Sequence, residues 1–182
     1  EKDKLLLELL TFVLEKGHYS PVEINDDFSK KVYAKYLDGI DPTKRFFLQS
    51  DIDEFSKYET QIDDMIKNKD LTFFNLTNSR LLKRMKESRA IYEEILDKPF
   101  DFKINESINV DYEKLPYVKN KKELTDRWRK QLKLQALSSI TDKQTLEEDK
   151  KTKDAAYQAK SFDEIEKEVR ENSLKSLNEY FD

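Results

Sequence analysis

The side chains that could carry catalytic chemistry in this chain are few and poorly placed for it. The single histidine, His18, lies two positions before Ser20, and the two would be a base beside a nucleophile in a catalytic interpretation. Residues this close on a turn seldom reach the geometry of a catalytic pair, and no third group that would orient the histidine is identifiable. We therefore interpret the segment from His18 to Pro21 as a helix end at which Tyr19 packs.

Neighbouring acids are the second candidate for chemistry. They occur at Asp26 and Asp27, at Asp51 and Asp53, and at Asp63 and Asp64. Acid–base catalysis needs two carboxyl groups that face one substrate, whereas adjacent acids on a helix point to different faces. A calcium loop would need a glycine that the segment after Asp51 lacks. The pattern therefore predicts helix caps and solvated surface.

The composition excludes several other kinds of site. With no cysteine, the chain has no thiolate nucleophile and no cysteine-ligated metal, and one histidine excludes multi-histidine zinc motifs. Two glycines are too few for a dinucleotide-binding or a Walker A loop. The Ser-x-x-Lys pattern of serine–lysine enzymes is absent. We predict no catalytic residue, no cofactor-binding residue and no metal ligand in this chain.

The charge balance limits the partners. The 34 basic and 38 acidic residues are interspersed and leave a net charge of −4, which argues against general nucleic-acid binding. Two short basic clusters leave a role toward phosphate or an acidic partner open, although a solvated helix face is the default. These clusters are Lys44 with Arg45, and Arg127 with Arg129 and Lys130. Trp128, within the second cluster, is predicted to be a core residue.

The elements that must position these residues are helices. Apolar side chains recur at helical spacing, and glycine and proline are scarce. The predicted fold is all-α, an irregular bundle of about six to seven helices with a long pinned crossing loop over about 97–120. Residues 1–182 are predicted to form a single helical domain with a soft subdivision near 119, between 1–118 and 119–182. Helices are expected over about 2–16, from 25 or 26 to 39, in a short piece after Pro42, from Ser50 to a polar break at 68–70, over about 71–96, after 120, and after 161.

The first of these helices contains the longest apolar-rich run, from Leu5 to Leu14, which Glu8 and Thr11 interrupt. The run is too short and too charged to span a bilayer, and it lacks the flanks of a signal peptide. We predict a buried helix, no membrane span, and a chain already trimmed of any export signal.

Helix starts and faces can be predicted in more detail. Asn25 or Asp26 and Ser50 are expected N-caps, and Asn120 with Glu123 and Ser161 with Glu164 have capping-box spacing. The second helix is expected to face inward with Phe28, Val32, Tyr36 and Leu37. Phe46 and Phe47 are predicted to be at least partly buried and to anchor the turn that follows it.

Two segments are less regular. Residues 97–120 contain Pro99 and Pro116 between alternating apolar residues, which predicts a loop held down by its side chains, with at most one short extended piece. Residues 141–160 are very charged. They are either a solvated helix with a thin stripe of Leu146, Ala155, Ala156 and Tyr157, or a mobile segment.

Several ordered stretches resemble the N-terminal helical domain of tail-specific (C-terminal processing) serine proteases. The resemblance is strongest over about residues 16–60, fair to 130 and weak between 141 and 160. It is carried by residues 17–21 (GHYSP), 25–33 (NDDFSKKVY), 36–42 (YLDGIDP), 45–55 (RFFLQSDIDEF), 98–102 (KPFDF), 123–128 (ELTDRW) and 174–182.

The resemblance implies a role without chemistry in this chain. Members of the family are exported, in Gram-negative bacteria to the periplasm, and carry a PDZ domain that captures nonpolar C-terminal tails and a protease domain with a serine nucleophile and a lysine base. The family's PDZ region would follow Asp182, so no catalytic residue is carried over. The implied partners are those two domains, protein substrates with nonpolar C-termini, and an adaptor protein.

Two other interpretations remain open. One is a stand-alone helical protein-interaction or scaffold module. The other is a self-contained hydrolase that uses His18 and nearby acids, although a single histidine would then have to carry the reaction. An open reading frame that continues past Asp182 into a PDZ domain favours the protease domain, and a stop codon there favours the module.

Overall fold

The computed structural model of the chain describes residues 2–13, 16 and 23–181. Within those residues there are seven α-helices and no strand, so the all-α prediction is confirmed. The helices are α1 (Lys2–Phe12), α2 (Asp26–Ile40), α3 (Gln49–Phe55, followed by a 3₁₀ turn at Ser56–Tyr58), α4 (Ile62–Lys67), α5 (Thr72–Leu96), α6 (Lys121–Lys153) and α7 (Phe162–Phe181).

The chain divides into two compact units, and each of them is built from two segments. The first unit contains Glu1–Arg84 and Asp111–Asn120, and the second contains Met85–Val110 and Lys121–Asp182. Helix α5 therefore contributes its first half to one unit and its second half to the other. The single domain with a soft subdivision near residue 119 stays a prediction.

The core of the first unit is rich in aromatic side chains. Phe47, Phe55 and Phe73 are fully buried there, and the rings of Phe47 and Phe55 meet edge to face with centroids 5.3 Å apart. This arrangement adds a favourable electrostatic contact to the apolar area that is buried. Phe46 and Phe47 are 4% and 0% exposed, which confirms the predicted burial of this pair.

Helix α2 begins as predicted, because the side chain of Asn25 accepts the backbone N–H of Phe28 at 3.1 Å. Its predicted inward face is only partly right. Leu37 is buried, but Phe28, Val32 and Tyr36 are half-buried, and Ser29 and Tyr33 take the central positions. The face is rotated because the hydroxyl of Ser29 bonds to Asp63 of α4.

The end of α2 and the start of α3 differ from the prediction by one to two residues, and the one helix expected from Ser50 to the break at Asn68 is divided into α3 and α4. Helix α2 continues past Gly39 to Ile40, and the expected short helix after Pro42 is a turn closed by the N–H of Lys44 and the carbonyl of Asp41 at 3.0 Å. Helix α3 has Leu48 rather than Ser50 as its N-cap. The reason is that Asp51 accepts the N–H of Leu48 at 2.9 Å and so fixes the helix start earlier.

The prediction that α1 is a buried helix is wrong. Leu5, Leu9 and Phe12 are 66%, 59% and 60% exposed, whereas Leu7 and Thr11 are half-buried. Leucines occur on several sides of this short helix, so burying the side of Leu7 leaves Leu5, Leu6 and Leu9 in solvent. Among the described residues, no helix is long and apolar enough to cross a membrane.

The second unit packs α7 against α6. Its core contains Ala136 and Ile140 of α6 and Ile165 and Val169 of α7, with the rings of Phe100 and Phe102 packed against it. A second aromatic group contains the buried rings of Tyr92 and Trp128, with centroids 5.9 Å apart, and the half-buried ring of Phe181. Trp128 is fully buried, which confirms its assignment to the core.

Helix α7 starts at the capping box that its sequence predicts. The carboxylate of Glu164 accepts the N–H of Ser161 at 2.8 Å, and the hydroxyl of Ser161 accepts the N–H of Glu164 at 3.3 Å. Helix α6 begins at Lys121, directly after the predicted cap Asn120.

The loop predicted over 97–120 is confirmed, and its two halves belong to different units. In the first half, Phe100 donates its N–H to Glu166 of α7 at 3.1 Å. In the second half, Val118 forms an isolated parallel bridge with Leu48, which is the short extended piece that was expected. These contacts hold each half of the loop against the unit to which it belongs.

The charged segment 141–160 is helical as far as Lys153, but the predicted stripe is wrong. Leu146, Ala155 and Ala156 are exposed, and Glu147 is buried instead. Its carboxylate accepts the hydroxyl of Tyr157 at 2.8 Å and the N–H of Lys160 at 3.0 Å. These bonds stabilise the charge, so the segment is held by polar contacts rather than by apolar burial.

Candidate functional site

The histidine–serine pair that sequence analysis considered for catalysis, His18 and Ser20, lies outside the described residues. Within the described part of the chain, no three His, Asp or Glu side chains come together as a possible metal site. The remaining predicted candidates are acids and basic clusters, and the structure places each of them.

The solvated-surface prediction is wrong for Asp51, which is fully buried. Arg84 donates to both of its carboxylate oxygens, at 2.8 and 2.9 Å, and Arg80 bonds to Asp51 and, at 2.7 Å, to Glu54. Burial alone would raise the pKa of Asp51, but the hydrogen bonds from Arg84, from the N–H of Leu48 and from Arg80 outweigh it, and the pKa lies below its usual value. The carboxylate is therefore a structural anchor whose charged form is stabilised by its hydrogen-bond partners.

Asp63 also departs from the prediction, because it is buried beneath Ser29 and Lys67. Its pKa is lowered, since these hydrogen bonds outweigh its desolvation. The other paired acids, Asp26, Asp27, Asp53 and Asp64, are exposed as predicted. The members of each pair thus do not converge on a common site.

Sequence analysis missed a third buried aspartate, Asp41. Its carboxylate accepts the N–H groups of Arg45, Phe46 and Phe47 at 2.9 to 3.1 Å and holds the turn before α3. Burial raises the pKa of Asp41 in spite of these bonds. An aspartate directly before a proline is a known turn signal, and it could have revealed this role.

The first basic cluster is structural rather than solvated. Lys44 is 8% exposed, its ammonium group donates to the carbonyl of Glu113 at 3.1 Å, and it lies 5.3 Å from the ring centroid of Tyr117. It therefore fastens the second half of the loop within the first unit.

The second basic cluster lies on α6 and includes Arg129, which contacts the loop. Arg129 of α6 donates two hydrogen bonds to Glu106 of the loop, at 2.8 and 2.5 Å, and Lys133 donates a third at 2.6 Å. The bonds from Arg129 and then from Lys133 lower the pKa of Glu106 to about 2. We call this set of three residues the loop clasp, because it ties residues 103–108 to α6.

Two shallow grooves flank the loop clasp. The first has a volume of about 200 Å³ and is lined by Phe102, Ile104, Glu106, Ser107, Ile108, Lys130, Lys133, Leu134 and Leu137. The second has a volume of about 340 Å³, includes Ile95, Pro99 and Phe100, and shares Ile104 and Lys133 with the first. Both are apolar grooves with charged rims.

The first groove exposes apolar side chains on an otherwise charged helix. Leu134 and Leu137 of α6 are 41% and 46% exposed, and Ile104 of the loop is 54% exposed. A surface helix normally presents polar side chains to water, so clustered exposed leucines indicate a contact surface. The sequence contains a signal for it, because Leu134 and Leu137 lie three positions apart in a charged stretch, which places them on one face.

Another carboxylate of this unit, Glu168 of α7, is also bound by two basic side chains. Glu168 accepts hydrogen bonds from Lys143 and Lys160, both at 2.6 Å, which lower its pKa to about 2. The small cavity beside it is lined mainly by charged residues. Glu168 provides a matched comparison for Glu106.

Comparison with known proteins gives a consistent result. A family model described as the tail-specific protease N-terminal domain matches residues 10–182. A tail-specific protease of Haemophilus influenzae is 33% identical to the chain over 115 residues. That match covers 63% of this chain but 16% of the relative's length, so the matched segment is a small part of the relative.

Proposed function

The chain belongs to the family of tail-specific protease N-terminal domains, and from this premise we propose that it is a non-catalytic domain of a larger serine endopeptidase. Its partners in the parent protein are a PDZ domain and a protease domain that supplies a Ser/Lys dyad. Its place of action is the periplasm. Its role is to help enclose protein substrates with nonpolar C-termini and to offer a docking surface to other proteins, such as an adaptor.

The family match over residues 10–182 is the observation that carries this proposal. The buried acids support the non-catalytic part of it, because Asp41, Asp51 and Asp63 all serve as acceptors for structural hydrogen bonds. The grooves beside the loop clasp support the contact role, because they are apolar surfaces that substrate or partner proteins can reach.

The non-catalytic role can be tested directly on the chain. We expect no cleavage when the pure protein is incubated with an unfolded protein that has a nonpolar C-terminus. Reproducible cleavage that a point substitution in this chain abolishes would overturn the proposal, and His18→Ala is the first substitution to make.

The assignment to a larger protease is tested by the gene. A reading frame that continues past Asp182 into a PDZ domain and a protease domain is the expected result. A stop codon directly after Asp182 would instead favour the stand-alone interaction module.

A further inference from the structure

The groove of about 200 Å³ beside α6 has the features of a site for one side chain of a polypeptide. Its volume is below the 300–1,000 Å³ typical of small-molecule pockets. It is open to solvent rather than enclosed, so a chain can pass along it without ending there. Leu134, Leu137 and Ile108 provide the apolar surface for such a side chain.

The rim of this groove is positively charged although the whole chain is acidic. The residues that line it include two basic side chains, Lys130 and Lys133, and one acidic side chain, Glu106. The whole protein, in contrast, has a net charge of −4. Lys133 is held by Glu106 at 2.6 Å. Among the described residues, Lys130 pairs across one helical turn with the half-exposed Asp126 at 3.3 Å. Exposed pairs of this kind contribute little to stability, so Lys130 can exchange Asp126 for an external carboxylate at small cost.

We propose that this groove binds an internal segment of an unfolded protein, with an aliphatic side chain against Leu134 and Leu137 and a neighbouring acidic side chain at Lys130. The inference rests on the proposed function, since it specifies what the substrate-contacting surface of the domain recognises. Apolar contact provides most of the affinity, and Lys130 selects acidic over basic neighbours.

Binding of a short labelled peptide to the 182-residue protein tests the proposal. The peptide is acetylated and amidated, so that it carries no terminal charge, and has a leucine next to an aspartate at its centre. Fluorescence anisotropy is recorded up to about 1 mM protein, the range of weak peptide contacts. We expect saturable binding that weakens about tenfold when the peptide leucine is replaced by serine.

Variants of the protein locate the binding site. Leu137→Asp is expected to weaken binding about tenfold or more, and Leu82→Asp, at a leucine of α5 that is 58% exposed and lies outside the groove, is expected to leave it unchanged. Lys130→Glu should disfavour the aspartate peptide and favour the same peptide with lysine in place of aspartate. Circular dichroism of each variant shows whether it is folded.

Three outcomes would overturn the inference. These are no binding at the highest concentration, binding that Leu137→Asp leaves intact, and a Lys130→Glu variant with unchanged charge preference. The second outcome would show that the peptide binds at another surface, for example at the exposed leucines of α1. The reading-frame experiment is independent of all three, so a failure of peptide binding and a failure of the proposed function can be told apart.

Discussion

Three buried aspartates show how short acidic side chains are used in the first unit. Asp41, Asp51 and Asp63 each accept hydrogen bonds that join segments distant in the sequence or fix a turn. Their electrostatics differ, because burial dominates at Asp41 and raises its pKa, whereas cationic or hydroxyl donors lower the pKa of Asp51 and of Asp63. Only Asp51 is bound by two guanidinium groups, so it is the acid whose removal is most costly.

We expect Asp51→Asn to lower the free energy of unfolding by about 3–5 kcal/mol at pH 7, because it leaves Arg80 and Arg84 without their buried counter-ion. Urea unfolding measures this loss. Since the folded pKa of Asp51 is depressed, its contribution is complete above its unfolded pKa near 4 and is lost as the pH falls through the folded value. The stability difference between wild type and variant should therefore shrink at low pH.

The exposed neighbour Asp53 provides the control for this prediction. Asp53→Asn lies on the same helix and removes the same charge, so we expect a change within about 0.5 kcal/mol. Equal effects of the two substitutions at pH 7 would show that the bonds to Arg80 and Arg84 add nothing to stability.

The burial of a residue could be predicted from the sequence where its side chain is large and apolar. Phe46, Phe47 and Trp128 have large apolar side chains, which are mostly buried in folded proteins, and all three are buried here. The burial of Asp51 could not be predicted, since its partners lie 29 and 33 positions away and nothing local identifies them. The same applies to Ser29 and Asp63, whose bond rotates the inner face of α2.

At the scale of elements, helix ends are defined by local hydrogen bonds, and α7 is the clearest case. Replacing Ser161 by alanine removes the hydroxyl that caps the N–H of Glu164. We expect Ser161→Ala to lower the free energy of unfolding by about 1 kcal/mol, measured in urea. Ser139→Ala, at an exposed position inside α6, is the matched control and should be neutral or slightly stabilising, because alanine favours helix interiors. A larger loss from Ser139→Ala would contradict this account.

The loop clasp is a second element held by a few polar contacts. Glu106→Gln removes the charge that Arg129 and Lys133 share, and we expect faster hydrogen exchange of the amides of residues 103–108. Glu168→Gln, which removes a comparable pair of bonds at the other end of α6, should leave those amides unchanged. If both variants accelerate exchange in 103–108 equally, the clasp does not hold the loop.

Helix positions could be predicted wherever apolar spacing and caps agree, as in α2, α5 and α7. Helix α1 shows the limit of this argument, because periodicity reveals an apolar face but not what covers it. The segment after residue 141 shows another limit. There, the buried side chain is the acid Glu147, and its satisfaction depends on Tyr157 and Lys160 beyond the end of the helix.

At the scale of the whole chain, the two units are defined by contacts between distant segments. Residues 111–120 join the first unit through Val118, which pairs with Leu48, and through the carbonyl of Glu113, which accepts a bond from Lys44. These pairs are about 70 positions apart, so helical periodicity could not reveal them. Each unit has its own apolar core, one around Phe47 and one around Ile140.

Separate cores predict separate responses to core substitutions. We expect Phe47→Ala to cost about 3–5 kcal/mol and Ile140→Ala about 2–5 kcal/mol, because both side chains are buried. Native-state hydrogen exchange should then show a reciprocal pattern, in which Phe47→Ala reduces protection mainly in α2 to α4 and Ile140→Ala mainly in α6 and α7. Leu82→Ala, at an exposed leucine, serves as the control and should change neither. Equal loss of protection in both units after either core substitution would show that the chain unfolds as one cooperative body. No loss of stability in Phe47→Ala would show that Phe47 does not belong to the core of the first unit.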